Sequence, residues 1–163
     1  TYKPTLKEVV EAVRAKRPDI RWNMEIKSQP DWDGLRHPPI DEFVGMVIAE
    51  LRKLGIEKQV TVQSFDIRAL KAMHRQAPEF PLAYLIENAD AFEKNMAKLD
   101  FTPAIYSPYY LTVTRKMARA CHQKKMKLVP WTVNDVLSMR RLIHLGVDGI
   151  ITDYPNLIGS VGK

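Results

Sequence analysis

The stretch from Arg21 to Lys27, Arg-Trp-Asn-Met-Glu-Ile-Lys, decides how the rest of the chain is interpreted. It predicts a short β-strand that ends in one acidic and one basic residue. Because Glu25 and Lys27 are two positions apart, their side chains point to the same side of that strand. Such a pair is either a structural ion pair or part of a binding site.

Helical and strand patterns alternate on both sides of this stretch. An amphipathic helix from about Thr5 to Arg17 precedes it and opens with a capping-box pattern, since Glu8 follows Thr5 by three positions. Five further strands are expected at residues 60–65, 82–86, 104–107, 127–132 and 149–152, with Pro130 marking a bulge or twist. The helices between them are expected at about 41–54, 66–76, 90–99, 113–124 and 134–145, with Asp66 and Asn134 as caps.

Strict alternation of helices with apolar strands predicts an α/β fold with a parallel sheet of about six strands. Two architectures fit this order: an open doubly wound sheet, or part of a TIM (β/α)8 barrel. No glycine-rich phosphate-binding loop follows any strand, which removes the main support for a nucleotide-binding open sheet. A barrel needs eight strands, so six would leave a seam of unpaired strand edges.

Length and composition predict one domain, residues 1–163, with a sizeable core. The net charge is +6, but the basic residues are spread over predicted helices without a nucleic-acid motif, so no nucleic-acid partner is expected. Cys121 is the only cysteine, which excludes an intrachain disulfide and leaves the compartment open between cytosol and periplasm. No apolar run is long enough to cross a bilayer. The chain begins at Thr1 without an initiator methionine, so it is expected to begin inside a longer product.

Chemistry is expected at the C-terminal ends of the strands in either architecture. A carboxylate such as Glu25 suits Mg²⁺ or Ca²⁺, and a nearby Lys27 suits a phosphate oxygen. Trp131 either lines a ligand pocket or fills the core. Residues 28–39 form a long loop without periodicity, of the kind that often acts as a lid. The four histidines have no metal-ligand spacing, and none is assigned a catalytic role.

Four segments of the chain, taken in order, resemble the glycerophosphodiester phosphodiesterases. They are Met24-Glu25-Ile26-Lys27, Gln63-Ser64-Phe65-Asp66, Val129-Pro130-Trp131-Thr132-Val133-Asn134 and Gly146-Val147-Asp148-Gly149-Ile150-Ile151-Thr152-Asp153-Tyr154-Pro155. The resemblance implies a (β/α)8 barrel and metal-dependent hydrolysis of glycerophosphodiesters to glycerol 3-phosphate and an alcohol. It implies that Glu25 is a metal ligand, that Lys27 faces the substrate phosphate and that Trp131 lies in the glycerol pocket.

The chain also departs from the family pattern, because nothing in it matches the family's first two strands. Those strands carry the two histidines that act as general acid and base, together with further metal-binding carboxylates. The resemblance therefore implies that this chain holds strands three to eight, and we expect it to be inactive or nearly so. Two alternatives stay open: a non-catalytic binding module whose seam is covered in an oligomer, and a related phospholipid phosphodiesterase with a hydrophobic rim around Trp32 and Leu35.

Overall fold

A computed structural model of the chain describes residues 2–161 and contains one parallel five-stranded sheet. The strands follow one another across the sheet in chain order, β1 to β5. The register pairs Glu25 with Gln63, and Tyr84 with both Ser64 and Tyr106. Their bounds are β1 Trp22–Glu25, β2 Val60–Ser64, β3 Leu82–Ile86, β4 Ile105–Pro108 and β5 Lys127–Leu128.

Within the described residues, six α-helices alternate with these strands, as the hydrophobic periodicity predicts. Their bounds are α1 Leu6–Arg14, α2 Ile40–Lys53, α3 Ile67–Gln76, α4 Phe92–Met96, α5 Arg115–Gln123 and α6 Val136–Leu145. The capping box of α1 is present, since Thr5 accepts from the Glu8 amide and Glu8 accepts from the Thr5 amide. The Gly146 backbone is left-handed and ends α6, as the sequence predicts. No helix among the described residues is both long and apolar enough to span a membrane.

The core lies between the sheet and its helices. Strand residues such as Val62 and Leu128 are fully buried, and so are helix residues such as Leu51, Leu70 and Leu142. Near-continuous burial along β3 is typical of a parallel sheet that is covered on both faces. This packing holds the C-terminal ends of all five strands at one edge of the sheet, which we call the rim.

The last two predicted strands differ from the expectation. Residues 127–132 form a regular strand only at Lys127–Leu128. The Val129 and Trp131 amides still donate to β4 (3.0 and 3.1 Å), whereas Pro130 between them has no amide to donate on the side of the last segment. Residues 149–152 are not a regular strand, although the Ile151 amide donates to the Pro130 carbonyl (2.9 Å). Ile151 also accepts from the Val133 amide at 2.9 Å. The predicted sixth segment therefore lies beside β5 without a continuous ladder.

One predicted helix cap is wrong. Asp135, and not Asn134, caps α6 by accepting from the Ser138 amide at 2.7 Å. Asn134 instead ties down the last segment: it donates to Asp153 Oδ2 (2.8 Å) and accepts from the Thr152 hydroxyl (3.2 Å). Either of two adjacent polar residues can cap a helix, and the sequence alone does not discriminate between them. Asp66, by contrast, caps α3 as predicted.

Candidate active site

A cleft of about 660 Å³ opens on the rim, between the end of β1, the end of β2 and the loop of residues 28–39. This is where ligands bind to barrels and to open parallel sheets. The lining residues that carry charge or aromatic surface are Glu25, Lys27, Trp32, Phe65, Asp66, Arg68 and Glu87. The cleft therefore combines carboxylates and cations with an aromatic wall.

Glu25 and Lys27 face each other at the end of β1. The Lys27 ammonium lies 3.7 Å from Glu25 Oε2, and Ile26 between them is buried. The Lys27 side chain is 74% exposed, whereas the Glu25 side chain is only 24% exposed. A pair in such different surroundings is loosely held, so the Lys27 ammonium is available to an anion entering the cleft.

Arg68 fixes the loop of residues 28–39 as one wall of the cleft. Its guanidinium binds both oxygens of Asp33, at 2.9 and 3.2 Å, and both oxygens of Asp66, at 3.2 and 2.8 Å. Ser28 also donates to Asp66 Oδ2 at 2.9 Å. Bidentate guanidinium–carboxylate pairs are among the strongest polar contacts in proteins. The loop is therefore attached to the start of α3 at its first residue and near its middle.

This network changes the titration of its members. Burial alone would raise the pKa of Asp66, but hydrogen bonds from Arg68 and Ser28 outweigh burial and hold it below its usual range. The same bonds from Asp66 and Asp33 raise the pKa of Arg68 further above its usual value. Asp66 and Arg68 are therefore both charged at neutral pH, and Asp66 is committed to structure within the cleft.

Trp131 lies on the same rim but outside the lining of this cleft. Its indole donates to the Ser107 carbonyl at 2.9 Å and its ring is half-buried. Phe65, which lines the cleft, meets the Trp131 ring edge-on at a centroid distance of 5.2 Å. The Tyr109 ring also packs against the indole, at a centroid distance of 5.7 Å. Trp131 therefore belongs to an aromatic cluster that reaches the cleft through Phe65.

None of the four histidines lines the cleft. His37 is buried in the loop, where Nδ1 lies 2.8 Å from the Pro38 carbonyl and the ring stacks on Phe43. His74 stacks on Phe101, His122 lies 2.9 Å from Asp148, and His144 is exposed on α6. The cleft walls among the described residues thus offer carboxylates and cations but no imidazole.

The residues present do not by themselves make a metal site. Within residues 2–161, no three His, Cys, Asp or Glu side chains lie where they could share one ion. Glu25 is a single carboxylate beside a lysine, Asp66 is bound by Arg68, and Glu87 is the remaining carboxylate in the cleft lining. Mg²⁺ and Ca²⁺ bind six or more oxygen atoms, several of them from the protein. Glu25 suits one such ligand position but does not complete a site.

Three residues of the site were not identified from the sequence. Phe65 lies in one of the family-like segments but is given no role by it, and neither Asp33 nor Arg68 is predicted as a site residue. The sequence carries a weak signal for Arg68, since a cation two positions after a helix-capping aspartate can reach its carboxylate. Nothing in the sequence marks Asp33, because its partner is 35 positions away.

Comparison with known proteins shows which family this chain belongs to. A sequence model of the glycerophosphoryl diester phosphodiesterase family matches residues 1–157. The chain belongs to this family. A glycerophosphodiester phosphodiesterase of Caldanaerobacter subterraneus is 33% identical over 161 residues, which is 98% of this chain and 62% of the relative. One of Bacillus altitudinis is 31% identical, over 94% of this chain and 60% of the relative. The chain thus spans about three-fifths of the length of these relatives.

Solved structures of phosphodiesterases share the fold. A glycerophosphodiester phosphodiesterase of Parabacteroides distasonis superposes with a TM-score of 0.76 at 23% identity, covering 97% of this chain and 63% of that one. An Oleispira antarctica phosphodiesterase in complex with the product sn-glycerol-3-phosphate gives 0.80 at 21% identity, covering 97% and 60%. The sheet of this phosphodiesterase-family chain is therefore that of a partial TIM barrel, and its open form agrees with that architecture.

Proposed function

We propose that residues 1–163 form strands three to eight of a metal-dependent glycerophosphodiester phosphodiesterase and carry its substrate-binding cleft. The observation that carries the proposal is the Glu25–Lys27 pair at the mouth of the 660 Å³ cleft. An exposed ammonium beside a half-buried carboxylate suits a phosphodiester held against a cation. The whole enzyme would cleave its substrate to glycerol 3-phosphate and an alcohol.

Each site residue has a role in this proposal. Lys27 binds a phosphate oxygen, and its 74% exposed side chain has the freedom to reach one. Trp131 and Phe65 present apolar ring surface to the glycerol carbons, which is consistent with their contact at 5.2 Å. Glu25 supplies one ligand to Mg²⁺ or Ca²⁺, whose other ligands come from outside this set of residues.

The test is calorimetric titration of the chain with sn-glycerol 3-phosphate, the product that the Oleispira antarctica enzyme holds. The Lys27→Met substitution is expected to weaken binding by about tenfold, because it removes a charge-assisted hydrogen bond. Lys58→Met is the matched control, since Lys58 is an exposed lysine just before β2, at the opposite edge of the sheet. Equal affinities in both variants, or no binding by the unmodified chain, would remove the assignment of Lys27.

A second candidate function is a non-catalytic association module, which the free edge of β1 favours. The Trp22 and Ile26 amides donate to β2, so by strand alternation the backbone groups of Asn23 and Glu25 point away from it. Such an edge readily pairs with another strand. If the chain is such a module, a second copy pairs with the free edge of β1, and light scattering gives a mass of twice 18.8 kDa. A mass of 18.8 kDa at high concentration would eliminate this candidate.

A further inference from the structure

Two strongly exposed leucines stand on the same rim as the cleft. Leu111, in the short 3₁₀ turn Tyr110–Thr112 after β4, is 61% exposed. Leu137, in the first turn of α6, is 78% exposed. Single exposed leucines are common, but two on neighbouring segments at a ligand-binding rim form a feature that needs an explanation.

A hydrogen bond holds one arginine beside these leucines, and a second arginine follows Leu111 by four positions. Arg141 lies one helical turn after Leu137, and its guanidinium donates to the Tyr110 carbonyl at 2.8 Å. Arg115, at the start of α5, donates to the His144 carbonyl at 3.2 Å. These contacts hold α6, the 3₁₀ turn and α5 together. We call the surface formed by Leu111, Leu137, Arg115 and Arg141 the rim patch.

The segment of sequence that carries the rim patch is strongly positive. Between Tyr109 and Gly146 the sequence has eight lysine and arginine residues and one acidic residue, Asp135. This excess is larger than the +6 of the whole chain. Asp135 is occupied as the cap of α6. Neither arginine of the rim patch has a carboxylate partner among its observed contacts, since both donate to backbone carbonyls.

We infer that the rim patch docks on the surface of an anionic phospholipid bilayer. Apolar side chains that enter the boundary between headgroups and acyl chains, flanked by cations that stay at the phosphates, are how proteins bind such surfaces without spanning them. In the rim patch, the leucines supply the apolar side chains and the arginines supply the cations. This inference goes beyond the proposed hydrolysis and does not depend on it.

A second site on the rim supports a lipid surface over a protein partner. Leu35, in the loop of residues 28–39, is 83% exposed and is followed by the exposed Arg36. The Arg36 guanidinium lies 4.9 Å from the centre of the Trp32 ring, which lines the cleft. The combination of an apolar tip with a cation thus recurs on the loop after β1. A flat anionic bilayer surface can contact several separated apolar side chains along one rim at the same time. Docking in this way would place the mouth of the cleft at the level of the lipid headgroups.

The experiment is co-sedimentation of the chain with vesicles of equimolar phosphatidylcholine and phosphatidylglycerol, with pure phosphatidylcholine vesicles as the reference. We expect binding to the anionic vesicles only, and a loss of binding as salt is raised. Arg115→Gln with Arg141→Gln is expected to weaken binding by about twenty-fivefold, since each cation near such a surface contributes roughly fivefold. Leu111→Ser with Leu137→Ser is expected to weaken it by at least about tenfold.

The matched control is Lys124→Gln with Lys127→Gln, which removes the same charge just after the C-terminal end of α5 and at the start of β5. It is expected to retain most of the binding. The leucine variant alters only exposed side chains, so circular dichroism should show an unchanged unfolding temperature even where the arginine variant is destabilised. Absence of binding by the unmodified chain overturns the inference. A lysine control that loses as much vesicle binding as the arginine variant also overturns it, and so does a leucine variant that binds normally.

Discussion

Arg68→Met is expected to lower the free energy of unfolding by about 2 kcal/mol. The substitution keeps the apolar stem but leaves the carboxylates of Asp33 and Asp66 without the guanidinium that binds both. The Asp66 side chain is only 8% exposed, so its unpaired charge is poorly solvated. Breaking a fully buried pair costs about 3–5 kcal/mol, and the partial exposure of Arg68 reduces this value.

Urea unfolding followed by circular dichroism measures the effect. The control is Arg75→Met, the same substitution in the same helix, at an ion pair with Asp41 in which both side chains are more than half exposed. That pair is expected to contribute less than about 1 kcal/mol. The Arg68 variant should also admit acrylamide more readily to Trp32, since the loop loses its attachment to α3. Equal destabilisation by the two substitutions would mean that Arg68 does not anchor the loop.

The 163-residue chain alone is expected to hydrolyse sn-glycero-3-phosphocholine at least about 10²–10⁴-fold more slowly than a full-length relative. Phosphodiester cleavage needs a positioned acid and base, and no histidine among the described residues lines the cleft. Glu25 is one carboxylate where Mg²⁺ or Ca²⁺ needs several oxygen ligands.

Steady-state assays with added Mg²⁺ or Ca²⁺ make this measurement, with the Caldanaerobacter subterraneus enzyme as the active reference. A Glu25→Gln variant controls for contamination, because residual activity that belongs to this cleft should fall with it. Robust turnover by the unmodified chain that is lost in Glu25→Gln would show that the residues present suffice for catalysis. The proposed division of the enzyme would then be incorrect.

The sequence predicts the fold well where the signal is local. The capping box at Thr5 and Glu8, the Asp66 cap and the Gly146 stop depend on residues a few positions apart, and all three are present. Alternating apolar segments identify the parallel sheet and four of its strands with small errors at their ends. The regular part of the fifth strand is shorter than predicted and ends before Pro130, a residue that the sequence signals only as a bulge or twist.

The candidate site is less predictable because its contacts are long-range. Glu25 and Lys27 are identified by their spacing on one strand, and the structure shows them facing each other. Asp33 meets Arg68 across 35 positions, and Phe65 meets Trp131 across 66, so neither contact leaves a periodic signal. Asn134 is also misassigned for this reason, since its real partners, Thr152 and Asp153, lie on the last segment.

The location of bound sn-glycerol 3-phosphate shows whether the cleft beside Lys27 is the substrate-binding site. A titration followed by ¹H–¹⁵N correlation spectra reports the amides that sense the ligand. We expect shifts at residues 25–28 and 65–68, and their loss in Lys27→Met. Shifts confined to another part of the molecule, such as the apolar groove lined by Ile143 and Ile158, would contradict this assignment, as would an unchanged response in the Lys27 variant.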